Sequence, residues 1–117
     1  MTAAVRRGDV VLVRLDPSEG RELRKTRPAV VLSNDAACTC DAVVQIVPLT
    51  GLTERTLRPW EAAVSSRESG IGKPSRAVAN QIRTVARERL GKLLGHLTAD
   101  ELGVLERAVI IQLGLPR

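Results

Sequence analysis

This chain predicts a mainly β fold closed by one C-terminal helix, on three observations. Short β-branched runs recur at close spacing, each bounded by turn chemistry. A capping box precedes an apolar stripe at helical spacing near the end of the chain. With no Tyr, no Phe and one Trp, the core has to be built from Leu, Val, Ile and Ala. Short strands and a single terminal helix pack as a small, strongly bent barrel or half-barrel with the helix laid against it.

The first strand is Asp9-Val10-Val11-Leu12-Val13-Arg14-Leu15, too short for a stable helix and stopped by Asp16-Pro17. Pro17-Ser18-Glu19-Gly20 is turn chemistry, and the basic segment running on to Thr26 is an exposed loop. Pro28 to Ser33 forms the second strand, its proline at the first position, where a missing N–H is tolerated. Asn34-Asp35 is a polar break before a third strand, Ala42 to Leu49, in which Pro48 signals an edge or a bulge. Arg58 to Val64 is a strand candidate, Ser69 to Pro74 a loop, and the alternating segment Ser75 to Val85 a further strand. Arg87 to Leu97 reads as a helical turn and then a short strand, since Gly91 and Gly95 oppose a long helix. Thr98 to Glu101 is the capping box. Leu102, Leu105, Val109 and Leu113 then share one face, and Gly114 and Pro116 end a helix running from about Ala99 to Leu113.

At 117 residues the chain supports one domain, 1–117, with no internal repeat. Hydrophobic residues at 44% and charged residues at 26% exclude a disordered chain. No apolar run approaches the roughly 20 residues needed to span a bilayer. The segment Met1 to Arg7 carries no apolar leader, so the expected compartment is the cytoplasm, with no membrane partner. Eighteen Lys and Arg against 13 Asp and Glu leave a net charge of +5. That excess suits a polyanionic partner through counterion release, although it also serves solubility. Arg21, Arg24, Lys25 and Arg27 form one cluster; Arg83, Arg87, Arg89 and Lys92 form a second, equally readable as a solvated face.

Cys38 and Cys40, the only cysteines, are too close for a relaxed disulfide and read as free thiols. With His96 the only histidine, a zinc site lacks ligands, and neither a metal nor a cofactor is expected. A single Trp rules out an aromatic stacking platform, so RNA binding would depend on phosphate contacts and arginine planes.

Three ordered blocks open the chain: Arg7-Gly8-Asp9-Val10, Leu15-Asp16-Pro17-Ser18-Glu19-Gly20, and Thr26-Arg27-Pro28-Ala29-Val30-Val31-Leu32-Ser33-Asn34. With Val47-Pro48-Leu49-Thr50 and Ala79-Asn80-Gln81-Ile82-Arg83-Thr84, they resemble MazF/PemK (Kid-like) toxins of type II toxin–antitoxin systems over nearly the whole chain. The resemblance implies an SH3-like, CcdB/PemK-like barrel of about five to seven short strands. It implies a homodimeric, metal-independent endoribonuclease that cuts single-stranded RNA at short motifs, leaving 2′,3′-cyclic phosphate and 5′-hydroxyl ends. A small MazE-like antitoxin is the implied partner, with DNA engaged only indirectly through the antitoxin complex. Carried over by position, Arg27 and Thr50 are the catalytic pair and Glu22 lines the same site. Arg21, Arg24, Lys25, Gln81 and Arg83 are the candidate RNA-binding residues.

These residue types fit the chemistry. In-line attack by a 2′-hydroxyl needs a proton removed, charge stabilised on the non-bridging oxygens, and a proton for the leaving 5′-oxygen. Arg27 offers a planar donor fork that keeps its charge, suited to electrostatic stabilisation and donation toward the leaving oxygen. Thr50 would hydrogen-bond a phosphate oxygen or orient the nucleophile. Glu22 is the more conventional base; an Arg27 base needs a relay, and the sequence does not choose between them. Structural readings stand beside each. Arg27 before a proline would equally pair with Glu22 or Asp35, and Thr50 before Gly51 would be a turn hydroxyl. Gln81 reads as a structural hydrogen-bonder, Trp60 as packing and His96 as non-catalytic. Two other functions share the fold: a CcdB-like toxin that binds a topoisomerase without catalysis, and an SH3-like nucleic-acid-binding module.

Overall fold

The computed structural model describes residues 4–116; Met1–Ala3 and Arg117, at the ends of the expected domain and leader-free N-terminus, lie outside the described residues. Seven strands and two α-helices follow in the order β1 (Asp9–Arg14), β2 (Thr26–Val31), α1 (Asp35–Cys40), β3 (Val43–Gly51), β4 (Glu61–Val64), β5 (Ser75–Val78), β6 (Arg83–Ala86), β7 (Leu90–His96) and α2 (Ala99–Leu113). The strands pair in the order β4-β5-β3-β2-β1-β7, and β6 also pairs with β3. The mainly β architecture with a C-terminal helix is as the sequence predicts.

β1 and β2 are buried on both faces, which is why they read as continuous β-branched runs rather than alternating ones. Val10 and Val30 enter a core cluster with Val47, Leu49, Leu97, Leu105 and Ala108, under α2. Their neighbours Val11, Ala29 and Val31 enter a second cluster with Val44, Ile46, Val85 and Leu90. A one-residue slip in either strand would exchange the two sets.

β3 bends the sheet. One edge pairs with β2 through Ile46, Val47 and Pro48. The other pairs with β6 over Val43–Ile46 and then with β5 over Leu49–Gly51. Pro48, whose missing N–H suggested an edge or bulge, stands where that partner changes, so neither ladder loses a donor. Pro28 is third in β2 rather than first, opposite Leu12 and one residue before pairing with β3 begins at Ala29.

Three local expectations differ. The polar break at Asn34-Asp35 is the start of α1: the Asn34 side chain accepts from the Ala37 N–H at 2.9 Å, an N-cap on a helix too short to show periodicity. The strand expected over 75–85 is two, β5 and β6, split by a 3₁₀ turn at Ala79–Gln81 so that each meets a different stretch of β3. In α2 the box at Thr98 and Glu101 forms with both of its bonds, and Leu105 is fully buried, but Leu113 is half exposed where the helix outruns the sheet. Arg87–Leu97 is a 3₁₀ turn followed by β7, as predicted.

Candidate active site

Arg27 and Thr50 are brought together by strand register. The last β2–β3 pairs are Val30 with Val47 and Ala29 with Pro48; continuing that register two residues puts Arg27 opposite Thr50 on one face. The Arg27 Nη1 lies 3.4 Å from the Thr50 Oγ1, and its Nε donates to the Arg24 carbonyl at 3.1 Å. That second bond follows from the left-handed backbone of Lys25 (φ 66°), a strained turn for a non-glycine residue. The guanidinium is thus held from two sides while its Nη2 has no hydrogen-bond partner among the described residues.

The basic loop is exposed but pinned. The Ser18 hydroxyl donates to the Leu15 and Leu23 carbonyls at 2.8 and 3.0 Å. Gln81 accepts from the Leu23 N–H at 3.2 Å and donates to the Arg21 carbonyl at 3.3 Å. Both halves of its amide are engaged in placing the loop. Arg83 reaches Ser18 at 3.5 Å. Arg21, Arg24 and Lys25 are exposed around a surface hollow that Glu22 and Arg27 also line. Glu22 itself turns back on its own loop, accepting from the Glu19 N–H at 2.7 Å, and pairs with no arginine among the described residues. Asp35, the other acid considered for Arg27, accepts from the Arg7 N–H.

Arg87 and Arg89, from the second basic cluster, are structural. Arg87 is buried and caps the end of α1 through the Asp41 and Ala37 carbonyls, at 2.9 and 3.2 Å. Arg89 donates to the Arg14 carbonyl at 3.0 Å and to that of Asp16, tethering the exit of β1. His96 is 2.7 Å from Asp9, its register partner, and Cys38 is buried, its thiol pushed up by that burial. Among the described residues no three His, Cys, Asp or Glu side chains converge as metal ligands.

Sequence reasoning missed the far wall of the site. Glu61 is buried, and its carboxylate receives Arg55 at 2.8 and 2.9 Å, the Arg58 N–H at 2.9 Å, and Arg76. The Arg55 hydrogen bonds, reinforced by Arg58 and Arg76 against burial, lower its pKa to about 2. Arg76 is the register partner of Thr50 and also donates to the Gly51 carbonyl at 3.2 Å. With all four acceptor positions of the carboxylate occupied, Glu61 is no base; it fixes two guanidiniums beside Thr50. Arg55 and Arg58 stand within six residues of Glu61 and were the sole advance signal; Arg76, fifteen residues on, is brought in by the β4–β5 pairing.

A bent, mostly antiparallel seven-stranded sheet that gathers a guanidinium, a hydroxyl and two further arginines defines a class: a fold carrying a donor-rich basic site whose groups suit a phosphodiester. Comparison with known proteins agrees. The family model for PemK-like, MazF-like toxins of type II toxin–antitoxin systems matches residues 6–113, and the chain belongs to that family. It is 36% identical over 116 residues to the endoribonuclease MazF9 of Mycobacterium tuberculosis, covering 95% of this chain and 98% of that one. A mycobacterial endoribonuclease solved in complex with its cognate antitoxin superposes with a TM-score of 0.79 at 28% identity, over 97% of this chain and 99% of that one. MazF from Deinococcus radiodurans, at 24% identity, shares the fold with a TM-score of 0.83, over 97% and 99% of the two chains.

Proposed function

We propose that this protein is an endoribonuclease toxin that cleaves single-stranded RNA through Arg27 and Thr50 and is neutralised by a cognate antitoxin. The observation that carries the reading is the 3.4 Å approach of Arg27 to Thr50 in a chain of this toxin family. Its relatives include an endoribonuclease at 36% identity and another solved with its antitoxin.

In the proposed reaction the 2′-oxygen forms a bond to the adjacent phosphorus, the bond to the 5′-oxygen breaks, and a 2′,3′-cyclic phosphate and a 5′-hydroxyl result. Arg27, with a free Nη2, stabilises the non-bridging oxygens and donates toward the leaving oxygen. Thr50 orients the phosphate or the nucleophile. Glu22 serves as base only by swinging out of its bond to the Glu19 N–H, a short loop motion within reach of an exposed side chain. Arg21, Arg24 and Lys25 draw the RNA in, while Gln81 and Arg83 hold the loop that carries them.

The active unit is a C₂ homodimer working in the cytoplasm. Val104 and Ile111, seven residues apart on one stripe of α2, are 53% and 43% exposed, apolar surface suited to a symmetric partner. No helix among the described residues is long and apolar enough to cross a membrane. The decisive experiment incubates purified protein with labelled single-stranded RNA in EDTA and maps the ends. Cleavage with 5′-hydroxyl products supports the proposal. Binding without cleavage points instead to a nucleic-acid-binding module, and neither outcome to a toxin acting on a protein target.

A further inference from the structure

Lys25, at φ 66°, is the one residue other than glycine with a left-handed backbone among the described residues. The other left-handed positions, Gly8, Gly20, Gly70, Gly72 and Gly114, all carry glycine. We infer that Lys25 is a positioning residue for RNA cleavage: its left-handed main chain turns the Arg24 carbonyl onto Arg27 and so fixes the guanidinium that meets the phosphate. The inference rests on the ribonuclease reading above and goes beyond it, by giving the strained turn a part in the reaction separate from the charge of Lys25.

The side chain of Lys25 does not account for its conformation. An asparagine or aspartate holds the left-handed state by bonding nearby backbone, whereas the Lys25 side chain is exposed and makes no hydrogen bond or ion pair among the described residues. A residue with a Cβ keeps such a conformation only where its surroundings over-determine it. Here they do so from both sides. Leu23 is clasped, its N–H donating to Gln81 at 3.2 Å and its carbonyl accepting from the Ser18 hydroxyl at 3.0 Å. On the other side Thr26 pairs with Arg14 of β1, and the Lys25 carbonyl accepts from the Leu15 N–H at 2.8 Å. Arg24 and Lys25 must therefore join a fixed point in the loop to the fixed start of β2, and the left-handed turn is how they do it.

The turn has a consequence at Arg27. It leaves the Arg24 carbonyl 3.1 Å from the Arg27 Nε, which donates to it. A guanidinium is a rigid plane, so holding Nε and one terminal nitrogen sets the direction of the other. The Nη1 contact to Thr50 is the longer of the two, at 3.4 Å, so the bond to Arg24 is the stronger restraint. With Lys25 extended or right-handed, the Arg24 carbonyl would turn away and Arg27 would be held by Thr50 alone. A catalytic donor misplaced by about 1 Å costs on the order of 100-fold in rate. Strain kept at a single non-glycine position is thus matched by the one backbone acceptor that aims Arg27.

The test compares Lys25→Gly with Lys25→Val. Both remove the same charge, but glycine takes a positive φ freely while β-branched valine resists it. KM for an RNA oligonucleotide should rise alike in the two, whereas kcat of Lys25→Val should lie roughly 10- to 100-fold below that of Lys25→Gly. Lys25→Gly should also melt about 4 °C above the unchanged protein, its strain relieved. Heteronuclear NMR of the Arg27 Nε–H gives a readout independent of turnover. Its exchange with water should be slow in the unchanged protein and in Lys25→Gly, and fast in Lys25→Val. Arg21, whose side chain makes no hydrogen bond among the described residues, is the fast-exchanging reference. Equal kcat in the two variants, a lower melting temperature in Lys25→Gly, or an Arg27 Nε–H that exchanges as fast as that of Arg21 in the unchanged protein would overturn the inference. The last two hold whether or not Lys25→Val folds. If no RNA is cut while the Arg27 Nε–H follows the expected order, the ribonuclease reading fails and the hold of the turn on Arg27 stands.

Discussion

Arg27 and Thr50 meet two residues beyond the last β2–β3 pair, their side chains 3.4 Å apart on one face of a ladder that has already opened. Past that end Arg27 pairs with Val13 of β1 and Thr50 with Arg76 of β5, while the shared register keeps the two side chains together. Arg27→Ala should therefore lower kcat for RNA cleavage by about 100-fold or more with the melting temperature unchanged. Thr50→Ala should cost less, on the order of tenfold. Near-normal turnover in Arg27→Ala, measured with a fluorogenic oligonucleotide, would place the chemistry elsewhere.

Glu61 makes stability depend on acid pH. Its pKa is lowered from an ordinary 4.5 to about 2, so its contribution is complete above pH 4.5 and is lost as pH falls toward 2. The size is about 3 kcal/mol. Glu61→Gln should remove most of that pH dependence, so that urea midpoints of variant and parent converge near pH 2 and diverge above pH 4.5.

Two glycines should respond oppositely to alanine. A Cβ on Gly95 would stand 2.2 Å from the Glu68 carbonyl oxygen, where the loop after β4 crosses β7. Gly95→Ala should cost about 3 kcal/mol, since main chain has to move. Gly103 lies inside α2, exposed and with open space around it. Gly103→Ala should stabilise the fold by about 0.5–1 kcal/mol. Thermal melts of the pair decide both.

Salt should weaken RNA binding in proportion to the cations engaged. Log affinity falls linearly with log salt, and each of Arg21, Arg24 and Lys25 that touches a phosphate should, on removal, reduce the slope by about 0.7. Fluorescence anisotropy across a salt series reads this directly, and an unaltered slope removes that residue from the RNA surface.

The exposed stripe of α2 carries the dimer expectation. Ile111→Asp places a charge on a residue already 43% exposed, so the isolated fold should tolerate it while association should not. Sedimentation at micromolar concentration should show a dimer for the parent and a monomer for the variant.

What the sequence alone determined lies within a few residues along the chain. The capping box at Thr98 and Glu101, the turn at Gly114 and the β-branched runs of β1 and β2 act through the nearest backbone groups, and they were legible. So was the ordered set of motifs carrying Arg27 and Thr50. Tertiary structure decided what depends on register between distant segments. It gave β3 two partners on one edge and divided the segment 75–85 between β5 and β6. It committed Gln81 to the loop, turned Glu22 back onto Glu19, and gathered Arg55 and Arg76 around the buried Glu61 carboxylate. The physical reason is that a buried carboxylate is tolerable only where donors from separate strands surround it, and no local signal reports which strands will pair.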